Sequence, residues 1–534
     1  MTRWAMVADL RLCVGCQTCT AACKHANTTN PAVQWRKVLD MEVGEFPDVG
    51  RVFVPVGCMH CSDPPCMHVC PSTATGQRDD GIVTIDYDLC IGCAYCAVAC
   101  PYQARYKVDA PKPAYGRDGR MRHEILREQP GRLGVAQKCT FCADKVDYGL
   151  ANGLTPGLDP AATPACVNSC IADALHFGDR DNPDSNISKL LNDHRHFRMH
   201  EELGTDSGFY YLWEKALNGG NNNSKADMPP KIAAASRGVG GVGAAAPWLQ
   251  RHWDWRAAGN FIGGGGGSGM LAAAATASLF GAPFWPFALI ALAFIAGGLL
   301  MVLAELGRPW RAINVIFHPQ TSWMTREALL AGPMFALALA AAWFNSKGLM
   351  IVAGATGLAY LYCQARMLHG GKGIAAWRDP ASIPLMILTG LAEGAGLLAI
   401  AAIFRYPPVV YAVINAMLFL VIFRLWAWRK YRQSLAEHAP DAANRVIAGF
   451  NRTMTLGGGV LPFVLGTGGI LMPAYAAPLF LLAALNTVVI GWAMKHMIVT
   501  RASYNQGFAI AHRPERSAGG GGGDGAAPGW GKAT

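Results

Sequence analysis

Charge is scarce in this chain of 534 residues: Asp, Glu, Lys and Arg make up 15% of it, against 52% hydrophobic residues. So thin a polar coat cannot cover one large soluble globule, which excludes an ordinary cytosolic enzyme. Cysteine is almost missing from the second part of the chain, since sixteen of the 17 precede Pro183 and Cys363 alone follows it. Long apolar runs are missing from the first part, where nothing between Met1 and about Leu217 could cross a bilayer. Met1 to Leu12 has neither a charged leader with an apolar core nor paired arginines, so no secretory or twin-arginine signal is expected and the compartment reads as reducing. The net charge of +10 is spread rather than gathered on one basic domain, which argues against nucleic acid as a partner.

These contrasts divide the chain into four. Residues 1–217 read as a polar, cysteine-rich domain, 218–247 as a flexible Gly/Asn/Ala linker, 248–500 as a membrane anchor and 501–534 as a low-complexity tail. Gly238, Gly240 and Gly243 form a G-x-G-x-x-G pattern in the linker, but no strand precedes it, so no nucleotide loop is expected.

The sixteen cysteines fall into four groups: Cys13, Cys16, Cys19 and Cys23; Cys58, Cys61, Cys66 and Cys70; Cys90, Cys93, Cys96 and Cys100; Cys139, Cys142, Cys166 and Cys170. The first and third have C-x2-C-x2-C-x3-C spacing, and Pro71 and Pro101 follow the second and third, as in bacterial ferredoxins. A disulfide framework does not suit a reducing compartment, and tetrahedral zinc does not need thiolates packed this densely. Sixteen thiolates at four per cube make four [4Fe–4S] clusters. The crossed-ligand rule of two-cluster ferredoxins pairs Cys58, Cys61 and Cys66 with Cys100, and Cys90, Cys93 and Cys96 with Cys70. The same rule, carried over a longer separation, pairs Cys13, Cys16 and Cys19 with Cys170, and Cys139, Cys142 and Cys166 with Cys23. The fold class expected is an α+β double ferredoxin-like domain followed by an all-α bundle.

Residues 1 to about 200 resemble the four-cluster electron-transfer subunit of molybdopterin oxidoreductases of the dimethyl sulfoxide reductase type. The resemblance is carried by Cys90-Ile-Gly-Cys-Ala-Tyr-Cys-Ala-Val-Ala-Cys-Pro-Tyr102 and Gln137-Lys-Cys-Thr-Phe-Cys-Ala-Asp144. Leu303-Ala-Glu-Leu-Gly-Arg-Pro-Trp-Arg-Ala-Ile-Asn314 and Ser322-Trp-Met-Thr-Arg-Glu327 resemble the eight-helix anchor of the same enzymes, so two subunits are here fused into one chain. The resemblance implies a quinone or quinol as electron carrier and a separate catalytic subunit that alone holds molybdopterin. S-oxide, sulfite, polysulfide or thiosulfate, and an acyl-CoA side chain remain open as substrates of that subunit, as does the direction of electron flow.

Eight apolar stretches are expected to span the bilayer, at roughly 258–280, 283–303, 328–344, 348–365, 383–403, 408–428, 456–472 and 474–494. In the first, Gly263 to Gly267 suggest tight helix packing. Loops on the N-terminal side carry eleven basic residues, from Arg308 to Arg452, and opposite loops only Lys347 and Arg405, which places the iron–sulfur domain and both termini in the cytoplasm, expected to be that of a bacterium with its inner membrane. No haem is expected, because His252, His318, His369, His438, His496 and His512 lie at span ends, in loops or outside the spans. Electrons would then reach only a lipid-soluble carrier near the cluster side.

Glu305 and Glu327 flank the second and third spans on that side and are candidates for quinone and proton chemistry, with Arg308 a candidate quinone ligand. Interfacial salt bridges to Arg308, Arg311 or Arg326 are the alternative. Family anchors have a histidine near the position of Glu305, so the proton path here departs from theirs. Glu393 falls mid-span, where an ionisable group is costly, and is either hydrogen-bonded as the neutral acid or part of proton transfer. Cys363 reads as a packed thiol. The basic run Arg105, Lys107, Lys112, Arg117, Arg120, Arg122, Arg127, Arg132 and Lys138 suggests docking to the catalytic subunit or to lipid headgroups, or else a solvated insertion. A second class of function is a cluster-driven ion-translocating membrane protein without a molybdenum partner. A third, a redox-sensing receptor, would need an output domain, and none is legible.

Overall fold

The computed structural model describes residues 2–31, 33–43, 50–111, 113–114, 119–216, 232–233 and 246–510. Almost all of the expected linker, the tail beyond 510, the glycines Gly238, Gly240 and Gly243, and Lys112 and Arg117 lie outside the described residues.

The strand Trp4–Asp9 (β1) is buried at all six positions, as a strand covered on both faces must be. It pairs antiparallel with Leu175–Asp179 (β2), Met6 opposite Phe177, and parallel with Phe209–Ala216 (β4), Met6 opposite Phe209. His194–Phe197 (β3) closes the order β2-β1-β4-β3. This sheet ties the two ends of the domain together, and the cysteine loops with their short helices fill the space between. Val83–Ile85 is a short strand, paired antiparallel with Thr75–Gln77.

Among the described residues eight long helices form the second half: Trp255–Leu279 (α1), Trp285–Leu303 (α2), Trp323–Trp343 (α3), Lys347–His369 (α4), Ser382–Ala402 (α5), Pro407–His438 (α6), Asp441–Leu471 (α7) and Ala476–Thr500 (α8). Among the described residues seven are long and apolar enough to cross a membrane, not the eight expected. The exception is α1, and its five consecutive glycines explain why. Glycine carries little hydropathy, yet α1 is helical for 25 residues because α2, α4, α5 and α8 enclose it. Its crossing with α5 is backbone against backbone: a Cβ on Gly269 would sit 2.0 Å from the Gly390 carbonyl oxygen, and one on Gly394 2.0 Å from the Gly269 carbonyl carbon. The helix α7 contains a π-helical stretch at Thr453–Val460.

The start of the expected tail is built into the fold. The Trp248 amide donates to Asn505 Oδ1 (3.2 Å), Leu249 bridges Tyr504, and His200 of the cysteine-rich domain hydrogen-bonds the Gly507 carbonyl (3.0 Å). Residues 501–510 therefore join the two halves.

Candidate iron–sulfur and quinone site

Two small cavities are lined by cysteines from distant loops. One takes Cys58, Cys61, Cys66 and Cys100, the other Cys13, Cys16, Cys19 and Cys170. Cys23 lies within electrostatic reach of Cys139, Cys142 and Cys166, and the Asn27 amide sits 3.7 Å from Cys23 Sγ and 3.9 Å from Cys142 Sγ. Cys93 has Cys96, Cys70 and Cys90 around it. The structure thus brings these cysteines together in four groups.

The donor chemistry fits iron–sulfur clusters. All the cysteines are free, and burial pushes several of the thiols up, Cys19 to about 11 and Cys96, Cys100 and Cys139 to about 12, while hydrogen bonding at Thr18 pulls the exposed Cys16 down. Thiolates crowded into such surroundings require a cationic core to hold them. Among the described residues no three His, Cys, Asp or Glu converge tightly enough for a single metal ion.

Buried cations lie between the cysteine sets. Arg105 donates to Cys66 Sγ (2.9 Å) and Thr75 Oγ1 (2.9 Å); burial opposes its charge, but Cys66, Cys96, Cys58 and Cys100 hold its pKa above the ordinary value. Arg36 is held up in the same way by Cys166, Cys139, Cys19 and Cys23. Lys138 is pushed down by burial and donates to the carbonyls of Val83 and Cys139. Each offsets the negative charge that a thiolate-ligated cluster carries. Part of the expected basic run is thereby inside the protein: Arg105 and Lys138 are interior, Lys107 donates to the Glu305 carbonyl (3.0 Å), and Arg132 lies over the Trp35 ring, whereas Arg122 and Arg127 are exposed. Sequence reasoning missed Arg36, whose separation from any cysteine in the chain leaves no signal.

The Cys70–Cys96 set rests on the membrane half. Tyr95 donates to the Met367 carbonyl (2.6 Å), His318 to Cys70 (2.8 Å), Ser322 to Val69 (3.0 Å) and Arg311 to Tyr87 (2.6 Å). Gly92 adopts φ +73°, and three glycine backbones meet there: a Cβ on Gly92 would lie 2.0 Å from the Gly134 carbonyl oxygen, and one on Gly307 1.9 Å from the same atom. Trp253 donates its indole N–H to the Cys93 carbonyl (3.1 Å) and stacks on Trp377.

Beneath this contact lies a mostly apolar cavity lined by Cys93, Trp253, Asn260, Glu305 and Glu327, with walls from α1, α2 and α3. An apolar slot with a few convergent polar groups suits a lipid-soluble quinone. Burial, with Asp254 nearby, pushes Glu305 up to about 7, and its Oε1 has no hydrogen-bond partner. Glu327 Oε1 accepts from Gln364 Nε2 (2.9 Å) and Asn260 Nδ2 (3.4 Å). Among the described residues neither carboxylate forms an ion pair with the arginines named as alternatives. Arg308 does not line the cavity; it donates to the carbonyls of Leu133 (2.9 Å) and Pro130 (3.0 Å). Glu393 lies apart from the cavity, deeper in the bundle, and is paired with Lys495 (2.5 Å). Asn260, Gln364, Trp253, Lys495 and Arg424 were missed; the two cations left a trace, being charges inside or at the edge of apolar runs. Cys363 is buried on α4, as a packed thiol would be.

Fold and site together define a ferredoxin-type electron-transfer domain seated on a bundle of apolar, membrane-length helices. Residues 49–115 match the 4Fe-4S dicluster domain family. The chain is 40% identical over 221 residues to the B subunit of selenate reductase from Mesobacillus selenatarsenatis, covering 39% of this chain and 72% of that protein. It is 39% identical over 228 residues to the putative iron-sulfur B subunit of dimethyl sulfoxide reductase from Halobacterium salinarum (40% and 79% covered). It is 34% identical over 229 residues to the iron-sulfur cluster-binding subunit of menaquinone reductase from Nitratidesulfovibrio vulgaris (39% and 88% covered). The chain belongs to the family of iron–sulfur electron-transfer subunits of molybdopterin oxidoreductases, with a helical membrane region joined to its C-terminal side.

Proposed function

We propose that this chain carries electrons between a molybdopterin-containing catalytic subunit and the membrane quinone pool through four [4Fe–4S] clusters, and anchors that subunit to the membrane. The observation that carries the reading is Cys93, which lines the same cavity as Glu305 and Glu327. The clusters supply one-electron steps when bound. Cys70, Cys90, Cys93 and Cys96 would hold the cluster next to the quinone; Cys58, Cys61, Cys66 and Cys100, then Cys23, Cys139, Cys142 and Cys166, then Cys13, Cys16, Cys19 and Cys170 would hold those leading to the partner. Cys16 is exposed, which suits the outermost set for handing electrons to another protein. The asymmetry of the loop charges supports a cluster domain on the cytoplasmic side. Glu305 and Glu327 exchange the quinone protons, Trp253 fixes the Cys93 loop against the cavity, and no haem is involved.

Purification of the native complex by gentle solubilisation, with metal analysis, tests the whole reading. About sixteen iron per chain, with molybdenum or tungsten on a large partner, is the expected result. An intact, cluster-loaded preparation with neither metal nor partner would overturn the anchor role and favour the partner-free alternative.

The carboxylates are tested separately. Glu327→Gln is expected to slow quinol-dependent cluster reduction by about a hundredfold while cluster content is unchanged. Glu305 is a neutral acid below about pH 7 and a carboxylate above it. Since quinol oxidation needs a proton acceptor, the rate should rise with pH through that range, and Glu305→Gln should flatten the rise. Stopped-flow reduction between pH 5.5 and 8.5, about one and a half units either side, reads both.

A further inference from the structure

The glycine row of α1 does more than let helices touch. A Cβ on Gly264 would lie 2.2 Å from Gln364 Nε2, one on Gly265 2.4 Å from Lys495 Nζ, and one on Gly491 of α8 2.4 Å from Glu393 Oε1. The missing side chains leave the space that three polar ones occupy. Lys495 Nζ and Glu393 Oε2 stand 2.5 Å apart, both with no exposed surface. Arg424 on α6 is also wholly buried and faces Glu393; it donates to the carbonyls of Thr487 (3.1 Å) and of Gly458 (2.5 Å) in the π-helical stretch. Lys495 and Arg424 are the charged groups set around Glu393, with Gln364 of α4 beside Lys495 at the same glycine row. Gln364 in turn donates to Glu327 in the cavity.

Along this seam Gln364 Oε1, Glu393 Oε1, Asn260 Oδ1 and Trp492 Nε1 are buried without a hydrogen-bond partner. Such atoms are places for bound water. A buried ion pair is often less stabilising than apolar residues of the same volume, so stability gives no reason for one here.

We propose that Glu327, Gln364, Lys495 and Glu393 form a proton-exchange branch that leads from the quinone cavity into the middle of the helix bundle. The proposal rests on the quinone reading above. When a quinol is oxidised, both its O–H bonds break and two electrons leave on the Cys93 side. One proton passes to Glu305. The other passes to Glu327 and, through water held at Gln364, to the Glu393 carboxylate, which becomes the acid. Quinone reduction runs the same steps backwards.

Redox-difference infrared spectroscopy on the complete complex in native membrane vesicles, reduced with a short-chain quinol, tests the branch. The wild type should show a carboxylic-acid C=O band that shifts in D2O and is lost in Glu393→Gln. Because that variant leaves Lys495 unpaired, the double variant Glu393→Gln, Lys495→Met is measured beside it, with cluster electron paramagnetic resonance after dithionite as the check that the fold is intact. Quinol-driven cluster reduction should slow by about tenfold in the double variant while dithionite reduction is unchanged. A band retained in the folded double variant, with the quinol rate at the wild-type value, overturns the branch alone. Failure of quinol to reduce the wild-type clusters overturns the quinone reading and the branch with it.

Discussion

Gly307→Ala is expected to slow quinol-dependent reduction of the clusters by about a hundredfold while the iron–sulfur domain keeps its iron. A Cβ at this position would lie 1.9 Å from the Gly134 carbonyl oxygen and 2.6 Å from its carbon, and those are backbone atoms with no rotamer to escape into. The same approach carries two main-chain hydrogen bonds, from Gly307 to Gly92 (3.3 Å) and from Arg308 to Ile91 (3.1 Å), on the loop between Cys90 and Cys93. Adding one methyl group must push this loop off the cavity. Misplacement by about 1 Å commonly costs on the order of a hundredfold in rate. Gly131→Ala, where a Cβ would meet nothing within 4 Å, should leave the rate unchanged. Stopped-flow reduction by quinol, with dithionite reduction as the control, separates a loss of contact from a loss of clusters. An unaltered quinol rate in Gly307→Ala would mean that the contact between the halves does not carry the electrons.

The second large effect is expected at Arg105. Its guanidinium binds Cys66 directly and lies among cysteines of two sets, Cys58 and Cys100 on one side and Cys96 on the other. A positive charge favours the added electron, so Arg105→Met should lower the potentials of both neighbouring clusters. At an effective dielectric constant of about 20 and a separation of about 5 Å, one unit charge is worth about 3 kcal/mol, or on the order of 100 mV for a one-electron couple. Arg105→Lys keeps the charge but loses the fork that reaches Thr75 and Cys66, and should shift the potentials far less. Redox titration followed by electron paramagnetic resonance gives both values. Potentials that stay in place in Arg105→Met would show that the buried charge is compensated elsewhere.

The cysteine loops were legible because their chemistry is local. Spacings of two and three residues bring thiolates to one corner of a cube whatever surrounds them. The helices of the membrane half were legible for a similar reason, since apolar length alone sets a span. Seven of the eight met that criterion, and Trp255–Leu279 did not, because its glycines serve its neighbours' side chains rather than the lipid. The basic run between Cys100 and Cys139 was legible only in part, for the opposite reason. A string of charges does not show which are interior, and Arg105 and Lys138 are placed by the cysteines packed round them.

Mid-span Glu393 stood out in the sequence, but its meaning did not. Lys495 lies 102 residues away just past the last expected span, where a lysine reads as an interfacial anchor, and Arg424 falls within the expected span 408–428, close to the basic stretch that follows it. Only the packing of α5, α6 and α8 around the glycine row of α1 turns the three into one buried group.

By itself the sequence determined that charge would be scarce on the outside of this molecule because much of it faces lipid, and that the cysteines hold clusters. Both follow from properties repeated within a few residues: hydropathy along a helix and ligand spacing along a loop. The tertiary structure decided which cluster loop touches the membrane half, which carboxylates share a cavity with it, and where the interior charges are paired. Those are contacts between residues up to hundreds of positions apart, made by backbones that approach only where glycine permits, and no local pattern encodes them.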